Sequence, residues 1–383
     1  MKIGVDARLL SDWRGGQSVF LENILREMER LDQENVYYLY SNRDFPLRFS
    51  NPRWHKRVAS WLGRVPGTVW LQADARSMVI KDGIDVFWGP GQSLPLGLPR
   101  SVGKVLTVHD FVWRFYPRTM PLYTYAIHRL FHERWIREAD RLIAISESTA
   151  RDLEGLLGVG RSRIDVVYHG VRAEYRPGDA TAAAKYVAGK YQVAEKYICT
   201  VGTIQPRKNL LTLLRAMKIL SERQRLRYQL VVVGAKGWKE SAIWTTMKKL
   251  ELTEEDVRFL GFVSDEDMPS LYRGAEVFVF PSMYEGFGLP LVEAMACGVP
   301  MVASDAPPAP ELVGDAALLV PPLEPEAFAG AIARLVADDK LRATVVAKGL
   351  ERARAFRWDT AAEGTLRVLT KSWPNEIGND HRP

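Results

Sequence analysis

The 383-residue sequence predicts an α/β protein of two doubly wound domains, each a parallel sheet covered by helices. Three observations carry that expectation. Short runs with strand character alternate with amphipathic stretches along the whole chain. The alternation loosens once, near residues 172–190, and then resumes. The length suits two domains of roughly 150 residues better than one core.

In order, "KIGVDAR" reads as the first strand, followed by a helix near 17–31, the strand "VYYLYS" and a helix near 68–81. The strands "IDVFWG" and "KVLTVHD" precede a helix near 121–138, the strand "RLIAIS" follows it, and "IDVVYHGV" closes the first domain, expected at 1–172. Ala, Gly and Pro loosen "RPGDATAAAKYVAGKY", so 173–190 is expected to be a linker. The pattern returns in "YICTVG", "QLVVVGA", "VRFLGFV", "EVFVFPS" and "PMVAS", giving a second domain at 191–355, with a C-terminal helix and tail over 356–383. Two such domains create a central cleft, and ligands of such sheets sit outside the carboxyl ends of the strands.

Composition narrows the function. Apolar residues make up 47% and no apolar run reaches 18 residues, so no membrane span is expected. The start "MKIGVDARLL" is too polar for a signal peptide, and Cys199 and Cys297 are the only thiols, which favours a reducing, cytoplasmic compartment. A net charge of +6 suits an anionic ligand or a membrane surface. With no RNP-like aromatic pair, a nucleic-acid partner is not expected.

The densest chemistry lies in "PSMYEGFGLPLVEAMACGVPMVAS", residues 281–304. Glu285 falls in a strand-to-helix turn, where Gly286 and Gly288 allow close backbone approach. The helix that follows, with Pro290 in its first turn, offers free N–H groups to an anion such as a diphosphate. Glu293, one turn further in, can accept two hydrogen bonds from a vicinal diol such as a ribose, and Glu285 can address a second polyol. Either glutamate alone reads as an ordinary solvated residue; the combination with the glycines favours a site.

"TVGTIQPRKNLLTLLRAMKIL", residues 200–220, repeats that logic with Arg207 and Lys208 before a helix opened by Asn209. Two cations there add to the field of the helix dipole rather than facing a protein partner, so a bound polyanion is the simplest reason for them. In the first domain Gly15 and Gly16 lie between the first strand and helix, where a ligand approach and an ordinary tight turn are equally good readings. His109 and Asp110 end an apolar strand, and a core histidine is the competing reading. His128 and His132 with Glu133 have a metal-like spacing but no evident third ligand, so no metal is expected. Residues 43–64 carry six Lys/Arg against Asp44, with Phe45, Phe49, Trp54 and Trp61 interleaved. That suits contact with an anionic membrane, against the alternative of a solvated connecting face.

Together "GTIQPRKNL", "TVHDF" and the stretch from "GFVSDEDMPS" to "ALLVPP" resemble the retaining nucleotide-sugar glycosyltransferases of family four, whose two Rossmann-like domains form the GT-B fold. The resemblance covers nearly the whole chain, and Glu285 and Glu293 match that family's E-x7-E motif. "ISESTA", "VVVGAKGW" and "TVHDFVWRFYP" look most like bacterial mannosyl- and related transferases of surface polysaccharides. The resemblance implies that Arg207 and Lys208 hold the donor diphosphate and that Glu293 holds the ribose. Glu285 would hold the donor-sugar hydroxyls beside Gly286, Phe287, Gly288 and Leu289, near Asn209. It further implies His109 against the transferred sugar and Gly15 and Gly16 near the diphosphate. The donor would be a nucleotide-diphosphate sugar, GDP-mannose favoured, with a glycan or lipid-linked glycan as acceptor, no cofactor and no essential metal. One departure stands out: where the family often has Pro-Asn-Gly-Val at the end of the first domain, this chain has Tyr168, His169, Gly170 and Val171. A GT-B epimerase or a non-catalytic nucleotide-sugar binding protein would use the same donor residues. An NAD enzyme is disfavoured because no dinucleotide fingerprint follows the first strand.

Overall fold

A computed structural model describes residues 1–11, 15–59, 66–238 and 240–371. The chain divides into two compact units. The first comprises Met1–Trp113, Leu122–Gly170 and the described residues from Trp358 onward; the second comprises Arg114–Pro121 and Val171–Arg357.

The first unit holds a seven-stranded parallel sheet: β1 (Lys2–Asp6), β2 (Val36–Ser41), β3 (Trp54–Val58), β4 (Val86–Gly89), β5 (Gly103–Val108), β6 (Arg141–Ala144) and β7 (Ile164–Val166). Their order across the sheet is β3-β2-β1-β4-β5-β6-β7. β4 and β5 are buried along their whole length, as central strands covered on both faces must be. The order reverses between β1 and β4, and the loops that leave those strands diverge there to open a crevice.

The second unit repeats the plan with β8 (Tyr197–Val201), β9 (Gln229–Val233), β10 (Val257–Gly261), β11 (Val277–Phe280), β12 (Met301–Ser304) and β13 (Leu318–Val320). The order is β10-β9-β8-β11-β12-β13, so the reversal falls between β8 and β11. Ile198, Leu213, Leu230, Val277, Val302, Phe328 and Ile332 are fully buried between sheet and helices. Cys199 and Cys297 are buried free thiols within this unit.

Two stretches differ from the sequence expectation, and a third, the C-terminal helix, gains the placement that the sequence left open. Within the basic segment 43–64, Trp54–Val58 is an edge strand paired with β2, and Phe45, Leu47 and Trp54 are buried. Trp54 stacks on Tyr37 at 4.0 Å and on the half-buried Phe49 at 4.6 Å, so Phe45 and Trp54, two of the four aromatics that suggested a membrane face, are core. Trp61 and Arg64 lie outside the described residues. The expected linker contains a helix, Ala180–Tyr191, capped by Asp179, whose carboxylate accepts from the Ala182 N–H at 3.0 Å. This helix packs on Met268–Arg273, and Asp267 accepts from Tyr186, Lys190 and Tyr191 within 2.7 Å. Its apolar stripe is only Ala183 and Val187, too thin to show as periodicity. Finally, the C-terminal helix Trp358–Leu369 belongs to the first unit, laid against the Gly16–Leu31 helix.

Candidate functional site

In the second unit, the loops that leave β8 and β11 flank the reversal of strand order. Gly288 opens the Leu289–Cys297 helix at φ +106°, a conformation in which any L side chain is strained. Pro290 sits in the first turn, where its missing N–H costs nothing, and no side chain caps the helix N-terminus. Across the reversal, Pro206–Lys208 forms one 3₁₀ turn and Asn209 takes φ +55° to start Leu210–Gln224.

Glu285 joins the two loops. Lys208 Nζ lies 2.6 Å from its Oε1, and the Arg207 guanidinium pairs with its Oε2. Arg207 Nη1 also donates to the Tyr284 carbonyl at 3.0 Å, and the Met283 N–H donates to the Arg207 carbonyl at 2.9 Å. The sequence reading gave the two cations no protein partner; the structure supplies one from a loop 77 residues away. Burial disfavours the charged Glu285, but the charges of Arg207 and Lys208 and their hydrogen bonds win and hold its carboxyl at about 2. Burial lowers the Lys208 ammonium, Arg207 pulls it down further, and Glu285 opposes both.

The neighbouring positions divide into contacts and scaffold. Gly286 and Phe287 are buried, and the Phe287 ring meets Phe356 edge-on at 5.9 Å. Gly288 and Leu289 are half-buried. Asn209 is committed to the fold: its amide donates to the Pro322 carbonyl, and its Oδ1 accepts from Thr212 Oγ1 at 2.8 Å. Ser282 is 3% exposed and its hydroxyl has no partner among the described residues; it lines a small cavity with Gly202, Thr203 and Lys208. Glu293 is half-buried on the helix, and the Tyr272 hydroxyl donates to its Oε2 at 2.7 Å. Burial raises the Glu293 carboxyl above its ordinary range, against that hydrogen bond and the Arg172 charge.

In the first unit Gly15, Gly16, Asp6, Arg8, Gln92 and Ser93 line a cavity of about 580 Å³ at the β1/β4 reversal. Arg8 forks onto Asp6 at 2.8 and 2.6 Å and donates to Ser93 Oγ at 2.6 Å. Gln92, strained at φ +59°, accepts the backbone N–H of His109 at 3.0 Å and of Asp110 at 3.2 Å. Sequence reasoning missed this cluster, because its members come from separate loops with no shared motif. His109 is buried, and its Nε2 donates to the Pro90 carbonyl at 2.6 Å. Burial keeps the ring below its ordinary pKa, against the Pro90 bond and the Asp110 charge, and hence neutral. His169, at the departure noted above, stacks between Phe20 at 4.5 Å and Trp358 at 5.8 Å, an aromatic core role. His132 accepts from Trp113 Nε1 at 2.7 Å, and among the described residues no group of three His, Cys, Asp or Glu converges.

The chain is similar to known proteins along most of its length. The profile of the family described as Glycosyl transferases group 1 matches residues 189–352, and that of Glycosyltransferase Family 4 matches 14–175. O-antigen chain mannosyltransferase B of Escherichia coli is 33% identical over 319 residues, 82% of each chain. The serotype-specific mannosyltransferase WbdA of the same species is 28% identical over 246 residues, 63% of this chain but 30% of its own. Among solved structures, HepE of Anabaena in complex with UDP and glucose superposes with a TM-score of 0.75 at 21% identity, covering 97% of this chain and 99% of that one. WaaG, a glycosyltransferase involved in lipopolysaccharide biosynthesis, gives 0.73 at 14% identity, covering 97% and 100%. With a relative this similar across most of both chains, and a family profile on each sheet-bearing half, the protein belongs to the family 4 glycosyltransferases and has the GT-B fold.

Proposed function

We propose that the protein transfers a mannosyl residue from a nucleotide-diphosphate sugar, GDP-mannose favoured, to a glycan or lipid-linked glycan acceptor in surface polysaccharide synthesis, with retention at the anomeric carbon. The observation that carries this reading is the Arg207–Lys208–Glu285 cluster at the β8/β11 reversal. As the C1–O bond to the diphosphate lengthens, negative charge grows on the leaving phosphate, and fixed cations stabilise it without reorganisation. Arg207 and Lys208 take the diphosphate, and Glu285, freed from them, takes sugar hydroxyls beside Gly286, Phe287, Gly288 and Leu289. Glu293 accepts the ribose diol, and Asn209 holds the cation loop in place. Gly15 and Gly16 approach the diphosphate and His109 the transferred sugar, while the Asp6–Arg8–Ser93 cavity receives acceptor hydroxyls. The acceptor oxygen forms the new bond to C1 as the old one breaks, and its proton passes to the departing phosphate oxygen. A mannose donor is supported by the names of the E. coli relatives, and a nucleotide sugar by the UDP and glucose bound to HepE. A lipid-linked acceptor would bring the enzyme to the cytoplasmic face of a membrane. Among the described residues, no helix is long and apolar enough to cross one.

The test is transfer from GDP-mannose and UDP-glucose in excess EDTA, with the anomeric C1–H1 coupling of the first-formed product read by NMR. An α-linked mannoside from the α-linked donor is expected. A β-linked product would overturn retention, and transfer from UDP-glucose alone would overturn the donor. In the same assay Glu293→Ala should raise the donor KM by about tenfold or more and leave kcat near wild type, because a ribose contact is the same in ground and transition states. A kcat loss with unchanged KM would remove Glu293 from the ribose.

A further inference from the structure

We infer that Tyr272 is a positioning residue for nucleotide recognition: its buried hydroxyl fixes the orientation in which Glu293 meets the ribose diol. The inference rests on the ribose reading of Glu293 above. Tyr272 lies in the Met268–Arg273 helix, 21 residues before Glu293, and is fully buried. Its Oη is 2.7 Å from Glu293 Oε2.

A glutamate's terminal torsion is broad, so a half-buried carboxylate can turn its plane at little cost. A vicinal diol demands the opposite, two acceptor lone pairs facing one way. A phenol that cannot move supplies the missing constraint, and this one is held on two sides. The Tyr272 ring meets Phe278 of β11 edge-on at 5.3 Å and Tyr175 at 5.9 Å. Tyr175 is in turn covered by the Arg172 guanidinium, 5.6 Å from its centroid, and Arg172 is anchored on Asp265 at 2.8 Å. A carboxylate accepts about four hydrogen bonds, so the phenol leaves capacity for the diol. Because burial and the neighbouring Glu293 charge push its pKa well above the ordinary value, the phenol keeps its proton and donates.

The experiment compares Tyr272→Phe with wild type by calorimetric titration of whichever of GDP and UDP binds wild type more tightly, and of its 2′,3′-dideoxy form. Wild type should prefer the ribose form by about tenfold or more. Tyr272→Phe should shrink that preference about fivefold, the scale of one hydrogen bond, while dideoxy affinity and kcat at saturating donor stay at wild-type values. Phe278→Leu keeps the hydroxyl but removes one of the ring's two supports, so it should lower the melting temperature and shrink the preference less than Tyr272→Phe does. If Tyr272→Phe retains the wild-type preference, or weakens both ligands equally, Tyr272 is core packing and the inference fails. If wild type itself shows no preference, the ribose reading of Glu293 fails, and this inference with it.

Discussion

Replacing Arg207 or Lys208 with alanine is expected to lower kcat by about 100-fold or more, the loss typical of removing one preorganised donor from developing charge. Both side chains are largely buried at the β8/β11 reversal, where a cation is screened less than at a surface. Lys208→Ala removes the ammonium paired with Glu285 together with the stem that carries it over the Phe280 ring. Arg207→Ala also releases the Tyr284 carbonyl, so Glu285 and its loop should loosen and the donor KM should rise as well. Arg207→Lys should recover little, since a point charge cannot reach Glu285 and a carbonyl with one planar fork. Steady-state rates on variants whose melting curves show them folded decide the matter. Wild-type rates in either alanine variant would remove the diphosphate assignment.

The second large effect belongs to Glu285, and its two halves have opposite signs. In the ligand-free chain Glu285 occupies the cations that a diphosphate would need. Glu285→Gln should therefore bind a nucleoside diphosphate more tightly than wild type, yet turn over about 100-fold more slowly because the sugar loses its charged partner. Weaker nucleotide binding together with a normal kcat would show that Glu285 neither competes with the diphosphate nor meets the sugar. The substitution also strands two buried cations, a destabilisation on the order of a few kcal/mol. Since the folded Glu285 carboxyl titrates at about 2, below its ordinary value near 4.5, its stabilisation is complete above that ordinary value and is lost as pH falls towards 2. The stability gap between wild type and Glu285→Gln should close over that window in chemical denaturation at stepped pH.

The sequence made the strand-to-helix loops legible because each packs its chemistry into a few consecutive residues: glycines, a proline and acids in one, adjacent cations in the other. Adjacent residues stay adjacent in any fold. The Glu285 pairing was not legible because it joins loops brought together only by the strand order. Tyr272 was hidden for a similar reason, since a tyrosine ahead of a buried strand has the pattern of core. In residues 43–64, Arg and Lys alternating with aromatics looked like a two-faced surface. The segment instead contains a short edge strand, in which Trp54 stacks inward on Tyr37 while Lys56 and Arg57 stay partly exposed.

The helix Trp358–Leu369 gives the chain an order of assembly. It covers the Gly16–Leu31 helix of the first unit, yet it leaves the ribosome only after residues 171–357 have been made. At roughly 5–20 residues per second that delay is on the order of tens of seconds. Throughout it the nascent first unit lacks Trp358, Ala361, Ala362, Val368 and Leu369, the apolar residues that this helix buries. The second unit can complete its own sheet inside that interval, because all six of its strands lie within the inserted stretch. The first sheet to be started is thus the last to be sealed.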